Sequence, residues 1–394
     1  MMAPIRAGLV SIDPDKKWIG GRYYLQHLVR GVAALPPEER VELVDVWWQS
    51  APEDDQFGEV RPLLGDRRVI TLPERFLPRL RRKLRRTLRG WSDSRDLFRD
   101  AGIDVIFPIA PCDSPGVAFV FWIPDFQYRR LPEMFDNDLW QWYERHYLAN
   151  GTAADVIVVS SEDGARDLEQ YFPQLAAKTR VLHFCSIPTD EWWSVDPVAA
   201  AEKHGLPEKF FVLSNQFSHH KNHMVVFEAL RVLRDTHGIH ATIACTGSTY
   251  GFRGDDYMRR VQSYLHEHDL VSSVRILGLI PRSEQVALMR RSICMLQPSR
   301  FEGWSTVVED AKTLGKKILL SGIGVHREQA PSRGTFLPLD DAEAWAHAMA
   351  ETWRTREAGP HEDEERDGAA YIARAQLDTG RTFAAILREA VQAR

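Results

Sequence analysis

The residues best suited to chemistry lie between Pro298 and Gly315, in the stretch PSRFEGWSTVVEDAKTLG. An apolar run, Ile293 to Leu296, feeds a short loop holding Glu302, Gly303 and Trp304, and Ser305 or Thr306 then opens a helix that stops at Gly315. A strand, a turn and a helix start gather unpaired backbone N–H groups and the positive end of the helix dipole, and Gly303 lets a ligand approach the main chain closely. Such a place suits a phosphate-bearing ligand. Carboxylates around it accept hydrogen bonds from neutral hydroxyls, so an anion cradle ringed by acids points to a sugar joined to a phosphate.

A second turn of the same kind holds Asn215-Gln216-Phe217-Ser218-His219-His220-Lys221-Asn222-His223, between an apolar run and a helical stretch. Lys221 there can neutralise a diphosphate. His220 and His223 stand at i, i+3, but no carboxylate or cysteine cluster accompanies them, and no metal site is expected. Two acids follow Thr306 and compete for roles. Thr306-Val-Val-Glu309 has the spacing of a capping box, which would occupy Glu309 at the start of its own helix, whereas Asp310 points about 100° away and can face a ligand. Glu302 has no capping duty and reads as a ligand contact. Weaker candidates are the glycine pair Gly20-Gly21, the Asp13-Pro14-Asp15 pair, His326 and Glu328 after Ser321, and Asp125, which alternatively forms an Asx turn.

Those residues need strand-to-helix turns to hold them. Strands are expected at Ile5–Ile12, Glu42–Trp48, Ile103–Phe107, Val117–Ile123 and Val156–Ser160, and again at Phe210–Ser214, Ala241–Thr246, Val274–Leu277, Ile293–Leu296 and Ile318–Ser321. Helical periodicity between many of them predicts doubly wound parallel sheets in two alternating halves, facing each other with ligands at the carboxyl ends of the strands. The boundaries read as residues 1–190 for an N-terminal domain, 191–208 for a linker rich in Pro and Trp, 209–369 for a C-terminal domain, and 370–394 for a closing helix.

A length of 394 residues favours two such domains over one. With 44% apolar residues, 27% charged residues and a net charge of −5, the chain has no global attraction to nucleic acid. Four scattered cysteines, Cys112, Cys185, Cys245 and Cys294, read as reduced core thiols of a cytoplasmic protein. The first strand begins too early for a secretory leader, and the longest apolar run, Gly116 to Ile123, is too short to span a bilayer. Residues 75–91 stand apart. Phe76, Leu80, Leu84, Leu88 and Trp91 recur at helical spacing among seven basic residues, so this stretch is either a peripheral contact with the anionic inner face of the membrane or a solvated surface helix.

On Lys221 and the Glu302 to Gly315 segment, the sequence resembles retaining glycosyltransferases of the GT-B fold, family 4, over nearly its whole length. Gly20-Gly21 is similar to that family's glycine-rich first loop, Asp125-Phe126-Gln127 to its N-domain cleft segment, Lys221 to its diphosphate lysine, and Glu302 with Asp310 to its E-x7-E signature. The resemblance implies two Rossmann-like domains facing across a cleft, an acceptor site in the first and a donor site in the second. Glu302 would contact the donor sugar and Asp310 the ribose, leaving Glu309 to the cap. The backbone of Gly303, Trp304, Ser305 and Thr306 would meet sugar and phosphate, and Gly278 and Leu279 the base. Gln216 stands where the family often has an arginine, Pro124 where it has a histidine, and the signature's usual proline is absent. The implied activity is transfer of mannose or glucose from a nucleotide sugar to a saccharide or lipid-linked acceptor, with no metal or other cofactor. A sugar-nucleotide epimerase, a phosphorylase and a non-catalytic sugar-binding scaffold are the alternatives.

Overall fold

The computed structural model describes residues 4–10, 19–48, 57–70, 97–109, 116–249 and 256–394. Asp13, Asp15, Cys112 and the basic stretch 75–91 lie outside the described residues. The chain divides into two compact units, one formed by residues 1–184 with 376–394 and the other by residues 185–375.

In the first unit the described strands are β1 (Arg6–Val10), β2 (Glu42–Trp48), β3 (Gly65–Ile70), β4 (Val105–Phe107), β5 (Ala118–Ile123), β6 (Val156–Val159) and β7 (Thr179–Val181). They form one sheet in the order β3-β2-β1-β4-β5-β6-β7, and every neighbouring pair is parallel. β5, reading AFVFWI, is buried at all positions, as a strand must be when helices cover both faces. The glycine pair expected in a turn instead lies in the first turn of the helix Ile19–Ala34. That helix meets the closing helix backbone to backbone, since a Cβ placed on Gly380 would lie 2.2 Å from the Gly31 carbonyl oxygen.

The second unit repeats the plan with β8 (Phe211–Ser214), β9 (Ile243–Thr246), β10 (Val274–Gly278), β11 (Cys294–Gln297), β12 (Ile318–Ser321) and β13 (Gly334–Leu337). The parallel order is β10-β9-β8-β11-β12-β13. Strand order reverses between β8 and β11. Four central strands, FVLS, IACT, CMLQ and ILLS, are fully buried and each ends in a polar residue. Apolar side chains thus pack the core of this unit, while Ser214, Thr246, Gln297 and Ser321 form a polar row at the carboxyl ends.

Residues 191–208, expected as a bare linker, belong to the second unit. Trp192 is buried in its core, and Asp196 accepts from the Ala199 amide to cap a short helix, Pro197–Lys203. Proline at N1 starts that helix because its fixed φ suits the first helical position. The expected closing helix is the later part of one longer helix, Glu362–Gln392. Cys185, Cys245 and Cys294 are buried and in no disulfide, and burial pushes the Cys294 thiol up to about 12.

Candidate active site

Ligand sites of doubly wound sheets form where strand order reverses, because the helices leaving the two central strands diverge there. In the second unit this point is built from the loops after β8 and β11. Asn215 Nδ2 donates to Gln297 Oε1 at 2.6 Å, joining the two strand ends. The Lys221 turn is fixed to the β11 loop twice, by the Arg300 amide donating to the His220 carbonyl at 2.8 Å and by Asn222 Nδ2 donating to the Pro298 carbonyl at 3.2 Å. Asn222 holds a left-handed φ of 54°, a conformation that asparagine tolerates better than most residues.

These ties bring together Lys221 and Glu302, two residues 81 positions apart. Lys221 Nζ donates to both carboxylate oxygens of Glu302, at 2.7 and 2.8 Å. Gln297 Nε2 donates to Glu302 Oε1 at 2.9 Å and to Ser305 Oγ at 2.9 Å. Ser305 is the N-cap of the helix Thr306–Thr313, its Oγ accepting from the Val308 amide. The first amides of that helix precede its first internal hydrogen bond, and so present donors beside the Lys221–Glu302 pair. A cation, a carboxylate and a helix start therefore converge at one strand-order reversal.

The two competing acids separate. Asp310 is buried and accepts from Arg282 Nη2 at 2.5 Å, and the Arg282 guanidinium lies 4.6 Å over the Trp192 ring. Arg282 Nη1 also donates to Gln285, whose amide reaches the Ser214 and Thr246 hydroxyls at the ends of β8 and β9. The expected capping box at Glu309 does not form. With Ser305 as N-cap, the box position falls on Val308, and Glu309 stands one residue too late. Its carboxylate is fully buried and accepts from Lys312, Gln329 and Tyr371.

Gly303, Trp304 and Thr306 are half-buried, in the loop and first turn beside Glu302. Gln216 is exposed. Gly278 ends β10 with φ 68° and open space where a side chain would be, and Leu279 after it is 66% exposed. Asp125, in the first unit, does form the Asx turn, its Oδ1 accepting from the Gln127 amide at 2.8 Å.

The three histidines near Lys221 do not assemble a metal site. His223 is buried with its ring stacked on Phe217, centroids 4.3 Å apart, while His220 bonds Ser218. Among the described residues, no group of three or more His, Cys, Asp or Glu could hold a metal ion. Burial pushes the His223 ring down to about 3 and the His326 ring down to about 4. The unfolded chain takes up these protons near pH 6.5 and the folded chain resists doing so, which makes their contribution to stability complete above pH 6.5 and progressively lost as pH falls toward 3. Each histidine is expected to cost about 1.4 kcal/mol per pH unit across its window. Urea unfolding at pH 7.5 and pH 5 should show a smaller acid loss for His223→Phe than for the wild type, and equal losses would refute the assignment.

Sequence reasoning missed Asn215 as a site member, as well as Gln297, Arg282 and Gln329. Gln297 carried a readable signal, since it closes an apolar run with one polar residue.

Residues 198–366 match the family described as glycosyl transferases group 1. No curated protein matches the chain by sequence. Among solved structures, the chain is similar to Anabaena Alr3699/HepE in complex with UDP, at 14% identity and TM-score 0.66 over 98% of this chain and 99% of that one. The same protein in complex with UDP-glucose aligns at 16% identity and TM-score 0.61, over 99% and 97% of the two chains. Sucrose-phosphate synthase from Thermosynechococcus elongatus aligns at 18% and 0.61, covering 98% and 97%. WaaG, a glycosyltransferase involved in lipopolysaccharide biosynthesis, aligns at 15% and 0.60, covering 97% and 99%. The two parallel-sheet units have the GT-B fold, and the residues that match the group 1 family lie within the second.

Proposed function

We propose that the chain is a retaining glycosyltransferase of family 4 that moves a hexose, mannose or glucose, from a nucleoside-diphosphate sugar to a saccharide or lipid-linked saccharide in polysaccharide or glycoconjugate synthesis. The observation that carries this reading is the Lys221–Glu302 pair, with Nζ at 2.7 and 2.8 Å from the two carboxylate oxygens, beside the start of the helix Thr306–Thr313. Transfer needs charge stabilised on a departing diphosphate more than it needs a strong base. Lys221 and the open helix amides take that charge as the anomeric C–O bond to phosphate breaks. Glu302 holds the sugar and favours its positive character. The acceptor oxygen bonds the anomeric carbon from the same face, and its proton passes to the leaving phosphate oxygen.

Asp310 is assigned to the ribose, Gly278 and Leu279 to the base, and Gln216 with the backbone of Gly303 to Thr306 to the sugar and diphosphate. Asp125, Gly20 and Gly21 are the substrate contacts assigned to the first unit. Positive charge from Lys221 and the amides makes a metal unnecessary in this scheme. The Anabaena neighbour's complexes with UDP and UDP-glucose support a uridine donor as the first to test.

The test is a panel of UDP and GDP sugars screened for thermal stabilisation, followed by transfer assays with and without EDTA. A donor at 100 times its Kd should stabilise the protein by about 2.7 kcal/mol. Release of nucleoside diphosphate that depends on an acceptor sugar, with retained anomeric configuration, is the expected result. Turnover without an acceptor or with inorganic phosphate would instead identify an epimerase or a phosphorylase, and weak binding without release would identify a scaffold.

No helix among the described residues is long and apolar enough to cross a membrane. We assign the protein to the cytoplasm, with residues 75–91 as its contact with the anionic inner face of the membrane. Co-sedimentation with anionic vesicles, lost when Arg81, Arg82, Lys83, Arg85 and Arg86 are neutralised, is the expected outcome.

A further inference from the structure

The N-cap of the helix Thr306–Thr313 is held by a side chain outside the signature altogether. Gln329 ends the short helix Gly324–Gln329 and pairs with the main chain of Ser305 at two points. Its Oε1 accepts from the Ser305 amide at 3.3 Å, and its Nε2 donates to the Ser305 carbonyl at 2.9 Å. The same Nε2 donates to Glu309 Oε1 at 2.9 Å. Glu309 is held in turn by Lys312 Nζ at 3.0 Å and by the Tyr371 hydroxyl, which donates to Oε2 at 2.6 Å, while the Lys312 ammonium lies 4.7 Å over the Tyr371 ring. Ser305, Gln329 and Glu309 are buried to 1%, 3% and 0% exposure.

Burying an ionised carboxylate is costly unless its oxygens are fully engaged, and a buried amide with all its partners admits few orientations. The result is a continuous hydrogen-bonded chain. It runs from Tyr371 through Glu309 and Gln329 to the Ser305 backbone, and continues from the Ser305 hydroxyl through Gln297 to Glu302 and Lys221.

We propose that Gln329 and Glu309 are positioning residues for the diphosphate cradle: they clamp the Ser305 main chain and so fix the direction of the Thr306 and Val307 amides. This inference rests on the donor site proposed above. Neither residue touches the donor. Glu309 thereby acquires a role distinct from both capping and ribose binding, and Tyr371 serves to hold it. Donors that hold a charge in place act only if their geometry is set before the charge arrives, so loosening the clamp should weaken the grip on phosphates specifically.

The test measures calorimetric affinities of the full chain for UDP and GDP, and for uridine and guanosine, in the wild type, Gln329→Leu, Glu309→Gln and Tyr371→Phe. Leu265→Ala, at a buried apolar residue that takes no part in the hydrogen-bonded chain, controls for general destabilisation. Gln329→Leu should bind the preferred nucleoside diphosphate about tenfold more weakly, with the nucleoside affinity unchanged. Tyr371→Phe should give a smaller loss of the same kind. The Leu265 control should shift the melting temperature without this selective effect. Diphosphate affinity in Gln329→Leu and Glu309→Gln equal to that of the wild type, or a loss shared equally by nucleoside and diphosphate, would overturn the inference alone. A wild type that binds neither UDP nor GDP would overturn the donor-site reading and the clamp with it.

Discussion

Lys221→Met is expected to lower kcat about 10²- to 10³-fold, the usual effect of removing one preorganised group that stabilises developing negative charge. Methionine keeps most of the stem and removes the ammonium. Glu302 loses both bonds from Lys221 but still accepts from Gln297 Nε2 at 2.9 Å, so the loop after β11 keeps a tie to the strand end. The variant should therefore remain folded by circular dichroism and retain cooperative unfolding. Steady-state assays with the donor identified by screening provide the measurement. Wild-type turnover in a folded Lys221→Met protein would remove the lysine from the chemistry and leave the proposed mechanism without its main cation.

The second large effect concerns stability. Gly315 follows the helix Thr306–Thr313 with φ 61°, and a Cβ built there would lie 1.8 Å from the Glu364 carbonyl oxygen. Gly315→Ala thus meets two separate penalties, the left-handed backbone and a collision with main chain that no rotamer change relieves. A loss of about 3 kcal/mol or more is expected. Gly238 is the internal comparison, with φ 65° and nothing within 4 Å of a built Cβ. Gly238→Ala meets only the backbone penalty and should cost about 1 kcal/mol. Paired denaturant titrations measure the difference, and equal costs would show that the helix Glu362–Gln392 yields at Glu364.

Much of this architecture was legible because buried parallel strands are nearly continuous apolar runs. β5 and β12 were found within a residue of their ends for that reason. The strands that escaped notice are β3, β7 and β13, and each lies at an edge of its sheet. An edge strand has one neighbour and tolerates charge, as the arginines in GDRRVI and TRV illustrate, so its hydrophobic signal is diluted. Glu302 and Lys221 could be singled out because each sits in a loop between an apolar run and a helix. Their pairing could not be read, since it depends on Asn222 and Arg300 fastening two distant loops together. The capping box predicted from Thr306 to Glu309 is absent because the N-cap lies one residue earlier. Ser305 and Thr306 can both cap a helix, and only the backbone decides that Ser305 does so. Gln329 had no local signature, because its function depends on Ser305, 24 positions away.

The first unit is assembled from two separated pieces of chain, residues 1–184 and 376–394. The later piece supplies structural members: Phe383 packs 5.0 Å from Phe107, Arg180 and Glu389 form an ion pair, and Gly380 seats against Gly31. During synthesis, the first unit therefore emerges from the ribosome with a groove along its opening helix still empty. The unit made second is contiguous and has all its residues before that groove is filled. Order of translation and order of completion are thus reversed, and the nascent first unit must keep apolar surface uncovered until residues 376–394 leave the exit tunnel, an interval in which chaperone binding or aggregation competes with folding.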